Sequence, residues 1–320
     1  GSARVRKCMY KAILLSIGTP TTLGIYYEDM SQNKENLEEA VYTDKADNES
    51  TLENKAPKLI FILRIDGKTS DVLPLLFVSH SLDKKTAYTS LESLLTPEVL
   101  SKCSLAECLI DSSFLKENKE IKHILESLDI KDSIDSMYSN QTNSANRPNC
   151  IDKGANLENL DTKHNIYFNE KIDSKTQIDF IKINCNLSKA LYLLSYFMPL
   201  NAIYYSRGVG SLSAIKLTHV FLHTLALSSD IKLYATNSFY FAQANEIKAF
   251  ANMSFYLKPD SKHVVITDSN VKDYIHIAPS NINASNINDS LDLSTLFLPY
   301  RLIHNDFLES CTPLYVTPAV

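Results

Sequence analysis

Apolar and polar positions switch between two periods along this chain, and the switches mark its elements. In residues 4–17 (RVRKCMYKAILLSI), Arg4, Lys7 and Lys11 recur at helical spacing on one face. Val5, Cys8, Met9, Ala12 and Ile13 share the other, so the pattern predicts an amphipathic helix stopped by Gly18 and Pro20. Leu23–Tyr27 reads as a short strand. Lys58–Ile65 and Val72–Val78 read as two more, with Asp66-Gly67 as the turn between them. Residues 86–138 read as helical, with Pro97 near one helix start and Glu117–Leu128 in another. Residues 139–165, rich in Asn, Ser and Asp, read as loop.

A denser pattern follows. Ile178–Ile183 alternates as a strand, and Asn186 or Ser188 caps a helix, LSKALYLLSYF, that ends before Pro199. Ile203–Ser206 and Ile215–Leu222 read as strands, and Ile231–Phe241 as an extended link. Ala244–Leu257 reads as a helix, His263–Asp268 and Asp273–Ala278 as strands, Leu293–His304 as a helix weakened by Pro299, and Leu314–Thr317 as a last strand. The class expected is α+β, in two halves of similar element order.

Composition narrows the chemistry. The 320 residues are 44% hydrophobic and 22% charged, enough for a sizeable core, and the length suggests two domains. There are only 7 glycines, and neither G-x-G-x-x-G nor a P-loop is present; Gly208-Val209-Gly210 has no third glycine in register. The longest apolar stretch, Leu191–Tyr205, is interrupted by Ser195, Pro199 and Asn201 and is too short to span a bilayer. No apolar segment follows Gly1-Ser2-Ala3, so no signal peptide is expected. The net charge of −5 is concentrated in residues 28–54, whose nine acids and two bases leave the rest of the chain near +2. That acidic stretch, poor in large apolar residues, reads as a disordered insertion.

Catalytic signals are missing. The 6 cysteines are scattered, and Cys103-x4-Cys108 has no histidine pair to complete a zinc pattern, so reduced thiols are expected, with Cys185 a core residue at the end of a strand. His219 and His223 have the spacing of two zinc ligands on a helix, but Val220 stands where a general-base Glu belongs, and the extended pattern around them would separate the rings. Asp66 and Asp71 flank a turn, and no G-x-S-x-G elbow occurs. The reading is non-enzymatic, with no metal and no cofactor.

The segment Ile178–Tyr205, IDFIKINCNLSKALYLLSYFMPLNAIYY, resembles the strand–helix–strand passage of sliding-clamp subunits. More specifically it resembles the Hus-type subunit of the heterotrimeric DNA-damage checkpoint clamp, the nine-one-one complex. Asn245–Pro279 is similar in order to the first helix and hairpin of that family's second domain. Ser290–Ile303 is similar to its second helix and the terminal CTPLYVTPAV to its closing strand, while 4–17 with LGIYY and KLIFIL resembles the start of its first domain. The resemblance implies two clamp-like domains: 1–225, with insertions at about 28–56 and 85–165, and a shortened 244–320, joined by a linker at 226–243.

It further implies a nuclear, DNA-encircling subunit in damage signalling and repair. Its partners would be two homologous clamp subunits, a clamp loader and duplex DNA, with no membrane. A ring meets phosphates through cations on its inner helices, without reading bases. Arg4, Lys7, Lys11, Lys189, Lys248 and Arg301 are the DNA-facing residues expected on that basis. A longin-like trafficking scaffold and a structural subunit of a larger assembly are the rival readings.

Overall fold

The computed structural model describes residues 10–18, 20–28, 56–80, 91, 93–128, 130, 179–242, 245–249, 253–259, 271–279, 296–309 and 312–315. Its centre is a seven-stranded mixed sheet of order β5-β4-β3-β2-β1-β6-β7. The strands are β1 (Tyr10–Leu15), β2 (Thr21–Tyr27), β3 (Lys58–Asp66), β4 (Ser104–Asp111), β5 (Phe180–Lys182), β6 (Ala202–Ser206) and β7 (Lys232–Thr236). From β1 through β5 the pairs are antiparallel. On the other side of β1, β6 and β7 run parallel to it, with Ile13 opposite Tyr204 and Tyr204 opposite Tyr234. Parallel neighbours need a crossover, and α6 (Leu212–Ser228) supplies it between β6 and β7.

The remaining helices of the large unit are α1 (Thr69–Phe77), α2 (Pro97–Lys102), α3 (Ser112–Glu117), α4 (Lys119–Ser127) and α5 (Leu187–Ser195). Side chains alternate across the sheet, so each strand feeds two cores. Ala12, Leu14, Leu23, Ile25, Leu63 and Tyr205 pack with Leu73, Leu76, Leu191, Leu194 and Leu222 of the helices. Ile13, Leu15, Tyr26, Tyr204 and Tyr234 face the other way, where Leu298, Tyr300, Leu302 and Phe307 cover them. A small antiparallel sheet, β8 (Glu246–Lys248), β9 (Met253–Leu257) and β10 (Ile275–Pro279), in order β10-β9-β8, holds a third core with Val209, Phe239 and Leu314.

The α+β class, β2, β3, β5, β6 and the Asn186-capped α5 agree with the sequence reading; the Asn186 side chain accepts from the Lys189 N–H at 2.9 Å. Pro97 occupies the first turn of α2 and α4 falls within the helix read at Glu117–Leu128.

Other expectations are corrected. The stretch read as the helix 4–17 contains β1: Ala12–Leu15 are buried on both sides of a central strand, and an apolar run filling two faces carries no decisive period. Val72–Val78 lies in α1 and not in a strand, and β4 was hidden inside a region read as helical because Glu107 interrupts its apolar run to face Arg64 on β3. Ile215–Leu222 lies in α6, and the described part of Ala244–Leu257 holds β8 and β9 instead of a helix. Leu293–His304 is not a helix where described. Residues 296–303 run extended over the sheet, bridged by Leu296 to Ala242 and by Arg301 to Lys58, and Tyr26 donates its hydroxyl to the Pro299 carbonyl at 2.6 Å. Of the strand read at Leu314–Thr317, Leu314 and Tyr315 are described and are not in a strand; Leu314 donates its N–H to Arg207 O.

Among the described residues, the expected repeat of a helix on a purely antiparallel sheet is not found. Residues 178–222 give strands to one mixed sheet shared with 10–111, and two clamp-like domains are not shown. Most of 28–56, all of 139–165 and His263–Asp268 lie outside the described residues.

Candidate docking surface on the crossover helix

Among the described residues, the cations expected to face DNA do not gather on one surface. Arg4 and Lys7 lie outside the described residues. Lys11 is on β1, half-buried, and donates to Glu28 Oε2 at 2.8 Å. Lys189 lies on α5, on the helix-covered side of the sheet. Arg301 belongs to the segment covering the opposite side, donates Nη1 to Ala56 O at 2.9 Å and sits over the Tyr300 ring at 5.5 Å. Lys248 is exposed on β8 of the small sheet.

A different surface stands out, on α6. Its start is fixed by the loop Arg207–Ser211. Gly208 and Gly210 hold φ of 123° and 158° there, and the Ser211 N–H donates to Ile17 O at 3.1 Å. Any Cβ on Gly208 would meet the Leu314 carbonyl oxygen at 2.6 Å, so this position needs glycine for space as well as for its backbone angle. Ser211 then caps the helix by accepting from the Ala214 N–H at 3.5 Å. Ala214, Ile215, Thr218 and Leu222 face inward. Thr218 shares a buried 2.6 Å hydrogen bond with Ser16, and Phe221 meets Phe77 of α1 with ring centroids 5.8 Å apart.

The outward face is apolar too. Leu212 and Leu217 are exposed, Val220 is 64% exposed and Leu227 90% exposed. Leu217, Val220, Thr224 and Leu227 follow one another at steps of three, four and three residues, the spacing of a helix–helix seam. Lys216 is the one Asp, Glu, Lys or Arg between Gly208 and Ser229. A surface helix ordinarily turns charged residues outward; this one presents leucine and valine. Sequence reasoning missed the helix for this same reason, since no polar stripe contrasts with the buried one. The uncharged run Leu217–Ser229 was the available signal.

On the flank of α6, the His219 and His223 rings meet at 4.2 Å between centroids, corrected from the separation expected of a strand. The Tyr205 hydroxyl lies 3.4 Å from His219 Nδ1, and burial, followed by the neighbouring His223, holds the His219 pKa below the usual histidine value. No third ligand joins them: among the described residues no group of three His, Cys, Asp or Glu could hold a metal ion. Nor is any helix of the described residues long and apolar enough to cross a membrane.

No protein-family model, no curated protein and no solved structure matches the chain.

Proposed function

We propose that this chain is a non-catalytic subunit of a larger assembly and that the outward face of α6 is where a second copy of it docks. The exposed Leu217–Val220–Leu227 stripe carries the reading. Contiguous exposed apolar surface marks interaction sites, and helix-on-helix packing at three- and four-residue steps is the simplest way to cover this one. The stripe has no charge to select an unlike partner or to repel a like one, which suits an isologous two-fold contact. An interfacial membrane helix fits less well, because such helices line their polar edge with several Lys or Arg and α6 has Lys216 alone.

A DNA-encircling clamp requires cations gathered on a common helical surface. Of the three helices expected to line it, at 4–17, 187–197 and 244–257, only the second is present where described, as α5. The assembly-subunit reading, without encirclement, is therefore preferred.

Sedimentation velocity over a range of concentrations tests the proposal. The parent chain should approach a dimer as concentration rises. Val220→Lys/Leu227→Lys should remain monomeric with unchanged secondary structure, because both side chains are already largely in water. A parent that stays monomeric throughout, or a double variant that dimerises as well as the parent, overturns it.

A further inference from the structure

At the far edge of the large sheet, β4 and β5 bring two cysteines together. Leu109 lies opposite Lys182 and Ile110 opposite Ile181, and the Ile183 N–H donates to Cys108 O at 2.8 Å. Cys185 follows two residues after Ile183, just past the end of β5, which brings it beside Cys108 at this edge. Both pack into the helix-side core, Cys108 fully buried and Cys185 partly open to solvent. The two thiols are close enough to shift each other's ionisation.

We propose that Cys185 and Cys108 form a peroxide-responsive thiol pair, with Cys185 the reacting sulfur and Cys108 the resolving one.

The surroundings divide the roles. Cys185 immediately precedes Asn186, the cap of α5, so it lies at the positive end of that helix, with Lys189 one turn in. The neighbouring Cys108 thiol and the Lys189 charge hold the Cys185 thiol below its ordinary pKa against the opposing effect of burial. The neighbouring Cys185, and burial, hold Cys108 well above its own. Thiolate character with solvent access directs oxidation to one cysteine, and a protonated thiol in contact is placed to resolve it.

The chemistry balances with a hydroperoxide as the oxidant. The Cys185 thiolate attacks the distal oxygen, the O–O bond breaks, and a sulfenic acid forms as water or an alcohol leaves with a proton from solvent. Cys108 then attacks the Cys185 sulfur, the S–O bond breaks, water leaves with the Cys108 proton, and a disulfide joins β4 to the start of α5. The two cysteines are together oxidised by two electrons and the peroxide is reduced by two.

The full chain is treated with stoichiometric hydrogen peroxide, blocked with alkylating reagent and digested with trypsin and a Glu-specific protease. The latter cuts after Glu107 and so separates Cys103 from Cys108. The expected product is a Cys108–Cys185 linked peptide, reversed by reductant, with a mass loss of about 2 Da. In Cys108→Ser, a sulfenic-acid probe should label Cys185, whereas in the parent the label should be largely lost to the disulfide. The parent digest decides the matter even if the variant folds poorly. Cys185 remaining reduced while other thiols oxidise, being oxidised without linkage to Cys108, or pairing with another cysteine each overturns the proposal.

Discussion

Nε2 of the buried His80 lies 3.2 Å from the Leu200 nitrogen and 3.3 Å from the Leu200 carbonyl oxygen, so the ring nitrogen is held against the backbone in the core. Burial lowers the His80 pKa from its ordinary 6.5, and His219 on α6 is lowered as well. The unfolded chain therefore binds protons that the folded chain refuses, so stability is full above about pH 6.5 and falls as pH drops through the depressed folded values. The urea midpoint should decline between pH 7.5 and pH 5.5, and His80→Gln should flatten that decline; an equal slope in parent and variant would contradict the assignment. At the sheet edge, Asp111, 2% exposed, accepts from the Phe114 N–H at 2.8 Å as the cap of α3 and pairs with Lys58 at 3.0 Å. Asp111→Ala removes both interactions and should cost about 2–3 kcal/mol by chemical denaturation. Asp111→Asn, which retains a capping acceptor, should cost clearly less; equal losses would show that the cap contributes nothing.

At the scale of elements, the glycines before α6 and after β1 make a matched pair. Gly208→Ala places a side chain at φ 123° and against the Leu314 carbonyl, and should cost at least about 1–3 kcal/mol. At Gly18 a Cβ would meet nothing within 4 Å, so Gly18→Ala should be near neutral, and thermal melts of the two variants separate the cases. What was legible in the sequence follows from contrast between faces. β2, β3, β5 and α5 have nearby punctuation, Asn186 and Pro199 around α5 and Asp66-Gly67 after β3. β1 was not legible, because Tyr10–Leu15 is sandwiched and its parallel partner β6 lies nearly two hundred residues away, a pairing that no local window records. The sequence reads Leu293–His304 as a helix from its apolar content, whereas 296–303 is not helical. Its true role, an extended cover over Ile13, Tyr204 and Tyr234, exists only in tertiary context. The site was less legible than the fold, because of the helices expected to carry its cations only α5 is present where described, and α6 was concealed by having two apolar faces.

For the whole molecule, a sheet covered on both sides leaves α6 with an apolar face that the described chain does not cover. Val220→Lys and Leu227→Lys replace exposed side chains, so each should change folding stability by no more than about 0.5 kcal/mol while abolishing association. Loss of association alone does not establish that α6 meets α6. The most direct measurement is charge complementation. Val220→Lys/Leu227→Lys and Val220→Glu/Leu227→Glu are prepared separately, shown to be folded, and sedimented alone and as an equimolar mixture at low salt. Each should be monomeric alone through like-charge repulsion across the two-fold, and the mixture should sediment as a heterodimer that weakens as salt is added. A mixture that stays monomeric while the parent dimerises would show that the helix meets some other surface and would contradict the account.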